Sequence, residues 1–195
     1  PEMSRGLGDV YKRQSLSFLL DEHLCSRPGG IVNLYGGLGN QMFGYAFSLY
    51  MQKQDSQRHW WIDAYACQNS NVHNGYELNK IFIGINASSE LSEESHQKLS
   101  QVSDKYKTNV KELHLSQVQT FISSDKSLVI YNGCWQCYPY VEVCADELRQ
   151  QFQFDETQLN EKNKEILKII SHRCTVSVHI RRGDYLKGNN EWLYG

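Results

Sequence analysis

From residue 175 to 181 the chain alternates strictly. Val176, Val178 and Ile180 are apolar, while Ser177, His179 and Arg181 are polar. A period of two predicts a half-buried strand. Shorter apolar runs at 31–35, 59–63 and 128–131 predict three more strands. Helical spacing begins near Asn40 and runs to about Gln54, with Met42, Ala46, Leu49 and Tyr50 on one face beside Phe43 and Phe47. A second helix is predicted over 155–171, capped by Asp155, with Leu159, Ile166, Leu167 and Ile170 as its apolar face. Between these, 76–85 holds apolar patches without a clear period. The stretch 88–106 is polar and reads as a solvated face, with Ser89, Glu90 and Glu93 able to open a helix. Strands alternating with helices predict an α/β fold around a sheet of parallel character.

Two strand ends carry candidate chemistry. In open α/β sheets, ligands sit at the carboxyl ends of strands. The strand predicted at 175–181 runs into Arg181, Arg182, Gly183 and Asp184. His179 and Arg181 share one face of it, and a guanidinium fork matches the oxygens of a phosphate or diphosphate. The first strand runs into Gly36, Gly37 and Gly39 before the first helix. The dinucleotide fingerprint would need glycine where Met42 stands, and a P-loop would need Lys-Ser/Thr where Tyr45 and Ala46 stand. Two readings stay open. The glycines simply turn the chain, or Gly37 and Gly39 open backbone N–H groups to a ligand at the helix N-terminus, with Asn40 and Gln41 adding side-chain donors. Asp63, at the end of the 59–63 run, is either a turn or cap residue or a carboxylate facing the cleft.

Three segments together carry a family resemblance. HIRRGD at 179–184 resembles the His-x-Arg-Arg-x-Asp signature of α-1,2-, α-1,6- and protein O-fucosyltransferases. GGLGNQMFGYAF at 36–47 is similar to the opening motif of the α-1,2-fucosyltransferases, glycosyltransferase family 11, and is the more specific of the two. GCWQCYPY at 133–140 resembles that family's Gly-Tyr-Trp-Gln-Ser-x-x-Tyr stretch, with Cys137 where the family has serine. The order of the three is the family's order, and the likeness runs from Ile31 to the last residue.

The resemblance implies a GT-B-like architecture of two Rossmann-like lobes. Only the N-terminal, acceptor-side lobe (31–171) and the start of the GDP-fucose-binding lobe (172–195) would be present. It implies an inverting, metal-independent transfer of L-fucose from GDP-L-fucose to the 2-hydroxyl of a terminal galactose in a glycan. By the same resemblance Arg181 contacts the donor β-phosphate and is the catalytic residue, His179 lies near the guanosine, and Asn40 positions the sugar or its phosphate. Arg182 and Asp184 match the motif too, but an ion pair or helix cap explains them equally. No cofactor and no metal are expected, and no Asp-x-Asp pair occurs in the chain. The family continues well past the position of residue 195, so a fragment truncated at both ends, and inactive alone, is expected. Residues 1–30 are expected to be linker or foreign sequence: 1–14 resemble translated adapter text, and Pro28-Gly29-Gly30 is a turn signal.

Composition narrows the alternatives. A chain of 195 residues, 40% hydrophobic and 22% charged, can bury a core of its own. A net charge of −2 gives no global field for nucleic acid or anionic membrane, so any anion site is local. No apolar run reaches the length of a membrane span, so no transmembrane helix is expected, and a cytoplasmic protein or one held peripherally at a membrane is predicted with the cysteines below. Six scattered cysteines predict reduced thiols, and the Cys134–Cys137 pair lacks the second pair or the histidines of a zinc site. Three other readings remain: another fucosyltransferase of the HxRRxD group, a non-catalytic glycan- or anion-binding module, and an RGD adhesion loop at 182–184. The last abuts an apolar strand instead of an exposed loop tip.

Overall fold

The computed structural model describes residues 28–70, 73–104, 106–112, 127–178 and 180. The chain divides into two compact units, Pro1–Asp155 and Glu156–Gly195.

The first unit is built on four strands: β1 (Gly29–Asn33), β2 (His59–Asp63), β3 (Lys107–Lys111) and β4 (Leu128–Asn132). They lie in the order β2-β1-β4-β3, and every neighbouring pair is parallel. Residue parity then sorts the side chains between two faces. Val32, Trp60, Ile62, Val129 and Tyr131 enter one apolar cluster, whereas Ile31, Trp61, Leu128 and Ile130 enter the other. Such double burial accounts for the near-continuous apolar runs of β1, β2 and β4. The larger cluster takes in Tyr45, Phe47, Tyr50 and Met51 of helix α1 (Leu38–Gln54). The short helices α2 (Tyr65–Gln68) and α3 (Leu78–Ile81) add Cys67 and Leu78 to it. The opposite face is closed by α4 (Glu93–Leu99) through Leu99. Helices α5 (Tyr138–Val143) and α6 (Ala145–Gln151) follow β4 and add Tyr140 and Leu148 to the α1 side.

Three details depart from the sequence expectations. β1 begins at Gly29, so Gly29 and Gly30 are strand and not linker. The reason is Trp60: a Cβ on Gly30 would stand 2.4–2.8 Å from the indole, which lies across the bare backbone. The α4 helix is capped by Ser92, whose hydroxyl accepts from Ser95 N, and not by Ser89, which belongs to a 3-10 turn. β3 goes unsignalled because it is an edge strand whose sequence, KTNVK, commits only Val110 to the core.

In the second unit, a 3-10 turn (Glu156–Gln158) precedes helix α7 (Glu161–Ser171). Its cap is Asn160, accepting from Asn163 N at 2.9 Å, so the helix starts later than a cap at Asp155 would place it. None of its residues is buried. Residues 174–178 and 180 form no strand, and Val176, Val178 and Ile180 are 75–89% exposed. Alternation alone does not make a strand; another backbone must take up its N–H and C=O groups. Among the described residues of this unit, none does.

Candidate functional site

All four strands of the first unit point the same way, so their carboxyl ends form one rim. Register places Asp63, Asn33, Asn132 and Lys111 side by side along it. Asn33 Nδ2 donates to Asn132 Oδ1 at 2.7 Å, and the Tyr35 hydroxyl donates to the same oxygen at 2.9 Å. Two neighbouring strands therefore end in polar side chains that hold one another.

The loop above β1 is fixed from below. Gly36 takes φ +69, a left-handed backbone that suits glycine. The amide of Asn40 also fills the space where a Gly36 side chain would stand. Gln41 is fully buried. Its Nε2 donates to the Gly36 and Gly75 carbonyls, both at 2.9 Å, and its Oε1 accepts from Glu77 N at 2.9 Å. Both amide hydrogens are used, so Gln41 latches the loop instead of offering a donor outward. The Cys67 thiol donates to the Leu34 carbonyl, and burial, followed by the Asp63 charge, pushes its pKa up to about 11. Cys67 is thus a packed thiol and not a nucleophile.

What remains open is the mouth of this loop. Gly37 is the N-cap of α1, and among the described residues no side chain caps the helix. Gly39 is exposed, with open space where a Cβ would be. Uncapped first-turn amides at the positive end of a 17-residue helix suit an anion. Beside them, Gln136 Nε2 donates to Asn40 Oδ1 at 2.5 Å, joining the loops after β1 and β4. One layer down, Trp135 stacks on Phe47 with centroids 4.0 Å apart and planes 4° apart. Trp135 holds φ 54, unusual for a residue with a side chain, and is fully buried. The segments 36–47 and 133–140, about a hundred residues apart, thus share one core and one rim.

At the β2 end, Asp63 is buried. Its Oδ1 accepts from Tyr65 N at 2.9 Å, and its Oδ2 lies 2.5 Å from His96 Nδ1 on α4. Tyr65 stacks on the His96 ring at 3.9 Å. Asp63 is both the turn residue and the rim carboxylate that the sequence left open. His96 sits in a stretch read as solvated face. Its only sequence signal is three-residue spacing from Glu93 and Leu99, ambiguous without knowing which face α4 buries.

At the β4 end, Cys134 N donates to Glu112 Oε2 at 3.0 Å, and burial, with Glu112 beside it, raises the Cys134 pKa. That direction opposes a reactive thiol. The described cysteines, from Cys67 to Cys174, are free thiols. Among the described residues no group of three or more His, Cys, Asp or Glu side chains stands ready for a metal ion. A groove of about 440 Å³ lined by Arg58, Trp60, Ser48 and Gln151 contains none of the loop residues 36–40 and is a separate feature.

Of the residues singled out in sequence, Gly37, Gly39 and Asn40 come together at this mouth, and Gln41 supports it from inside. His179, Arg181, Arg182 and Asp184 lie outside the described residues. Reasoning from sequence did not single out Asn33, Tyr35, Asn132 or Glu112 on the rim.

The chain is 31% identical over 170 residues to an alpha-1,2-colitosyltransferase of Escherichia coli, covering 80% of this chain and 55% of the relative. It is 30% identical over 176 residues to the O-antigen biosynthesis glycosyltransferase WbnK of Escherichia coli, covering 78% and 58%. No family model matches, and no solved structure matches. The chain spans somewhat over half the length of the curated relatives it matches. These likenesses support a glycosyltransferase, and the parallel α/β sheet is compatible with one. No helix among the described residues is long and apolar enough to cross a membrane.

Proposed function

We propose that this chain is part of an inverting, metal-independent glycosyltransferase of GT-B type. In this reading it moves L-fucose from GDP-L-fucose to the 2-hydroxyl of a terminal galactose in a glycan. The observation that carries the reading is the meeting of the segments 36–47 and 133–140 at the carboxyl rim, through Asn40–Gln136 above and Phe47–Trp135 below. Those are two of the three segments in which the family resemblance lies. The α-1,2 linkage in the name of one relative agrees with the proposed linkage.

The leaving diphosphate takes on negative charge as the glycosidic bond to it breaks, and fixed donors aimed at that charge lower the barrier. In this reading Arg181 supplies the fork, and His179, Arg182 and Asp184 also serve to bind the donor. The N-terminus of α1, with Gly37, Gly39 and Asn40, faces the sugar or its phosphate. The protein works in the cytoplasm or at a membrane surface on a nucleotide sugar and a glycan acceptor.

A second reading differs in the donor alone: the relative named for colitose makes nucleotide-activated colitose the competing substrate. The test is product formation by the protein expressed from its complete reading frame, with a galactoside acceptor, each donor in turn, and EDTA or magnesium present. Fucose transfer unaffected by EDTA is expected, and Arg181→Lys should cut turnover at a cost of about 3 kcal/mol in the barrier. Transfer of colitose only would replace the donor. A metal requirement, or wild-type turnover in the Arg181→Lys variant, would remove Arg181 from the role given to it.

A further inference from the structure

Resting on the glycosyl-transfer reading, we infer that His96, oriented by Asp63, is the general base that takes the proton from the acceptor hydroxyl.

Three observations converge on this pair. First, the aspartate is buried while the histidine is not: Asp63 is 4% exposed at its side chain and His96 31%. The carboxylate is shielded and the imidazole reaches the surface. Second, the ring is held in more ways than a surface histidine needs. Its Nδ1 is 2.5 Å from Asp63 Oδ2, its face lies on Tyr65 at 3.9 Å and 12°, and Asp63 itself is pinned by Tyr65 N. A carboxylate accepting from Nδ1–H selects the tautomer whose Nε2 carries a lone pair. Among the described residues, Nε2 has no hydrogen-bond partner. Third, the pair stands on the rim that carries the rest of the site. Asp63 is the register partner of Asn33, which bonds Asn132, the residue before the loop that reaches Asn40 through Gln136. Two strand spacings, about 10 Å, separate the Asp63 and Asn132 backbones, a distance on the scale of two linked sugar units.

The step balances as follows. The acceptor oxygen bonds to the anomeric carbon as the bond from that carbon to the diphosphate oxygen breaks, its electron pair leaving with the diphosphate. The hydroxyl proton passes to Nε2 of neutral His96, and Asp63 stabilises the imidazolium that forms. Asp63 and Tyr65 are positioning residues, since each acts through the ring. The alternative role for the pair is to pin α4 to β2, which makes no demand on Nε2.

The experiment uses the protein expressed from its complete reading frame, with a galactoside acceptor and GDP-fucose or nucleotide-activated colitose as donor. His96→Gln should lower kcat by on the order of 100-fold or more, with affinity for GDP by calorimetry unchanged. Asp63→Asn keeps a carbonyl for Tyr65 N but can present N–H to the ring, and it should share the loss. Rates are compared at a temperature where near-UV circular dichroism shows each variant folded. The readout a structural pin would not move is acceptor acidity. A 3-deoxy-3-fluoro galactoside has a more acidic 2-hydroxyl and needs the base less, so the gap between wild type and His96→Gln should shrink with it. Unchanged kcat in His96→Gln, or a loss equal for both acceptors, would overturn the proposal while leaving glycosyl transfer standing. A wild-type protein that transfers no sugar from either donor would bring down the transfer reading, and this base with it.

Discussion

The rim of the first unit and the segment 174–180 of the second both follow sequence patterns that are easy to see. In the first, Gly36–Phe47 and Gly133–Tyr140 are built into the fold: Trp135 is stacked on Phe47, Gln41 spends its whole amide on backbone, and only a few positions are left at the surface. In the second, the alternating Val176, Val178 and Ile180 lie open. The contrast separates two reasons for a residue to be fixed in a motif. Gln41 holds the platform from inside and Gly39 lies at its surface, and their letters alone do not say which does which.

The largest way to break this comparison is Trp135→Ala. It should cost about 3–5 kcal/mol, read as a lower urea midpoint, because it empties a fully buried site against Phe47 and Tyr131. Trp135→Phe should cost much less, since it also removes an indole N–H with no partner among the described residues. A small loss in Trp135→Ala would mean the two segments are not joined through the core.

Gln41→Leu comes next. Leaving the Gly36 and Gly75 carbonyls and Glu77 N without their partner should cost about 2–3 kcal/mol. GDP affinity, measured on the protein from its complete reading frame while folded, should hold. The reverse pattern, stability kept and affinity lost, would turn Gln41 back into a ligand donor.

The smallest effect is expected in the open segment. Val176→Thr and Val178→Thr, each 78% or more exposed as valine, should change the stability of the 195-residue chain by no more than about 0.5 kcal/mol. A drop of several times that size would show those side chains covered in solution.

Much of the framework was legible from sequence. β1, β2, β4 and α1 announce themselves because double burial leaves unbroken apolar runs and α1 buries a wide stripe. β3 does not, since an edge strand with one core side chain carries no such run. The start of α7 moved from Asp155 to Asn160 because two acceptors compete to cap it and only geometry decides. At the site, the glycine loop was legible, but the role of Gln41 was not. A glutamine aimed inward at two carbonyls is written with the same letter as one aimed at a ligand. His96 was hidden for a related reason: its partner Asp63 lies 33 positions away, brought near only by the packing of α4 on the sheet.

The bare backbone of Gly30 beneath Trp60 also bears on how the chain finds its alignment. If β1 slid by one residue toward its own start against β2, Ile31 would replace Gly30 at the indole, and the other inward side chains of β1 would change face as well. The notch bars that slip, and the change of face alone opposes the opposite one, which would set Gly29 at the indole, so notch and face together key the pairing of the first two strands. It also ties two positions together across generations. A side chain can be gained at 30 only if bulk is lost at 60, and the two sites should change as a pair or stay as they are.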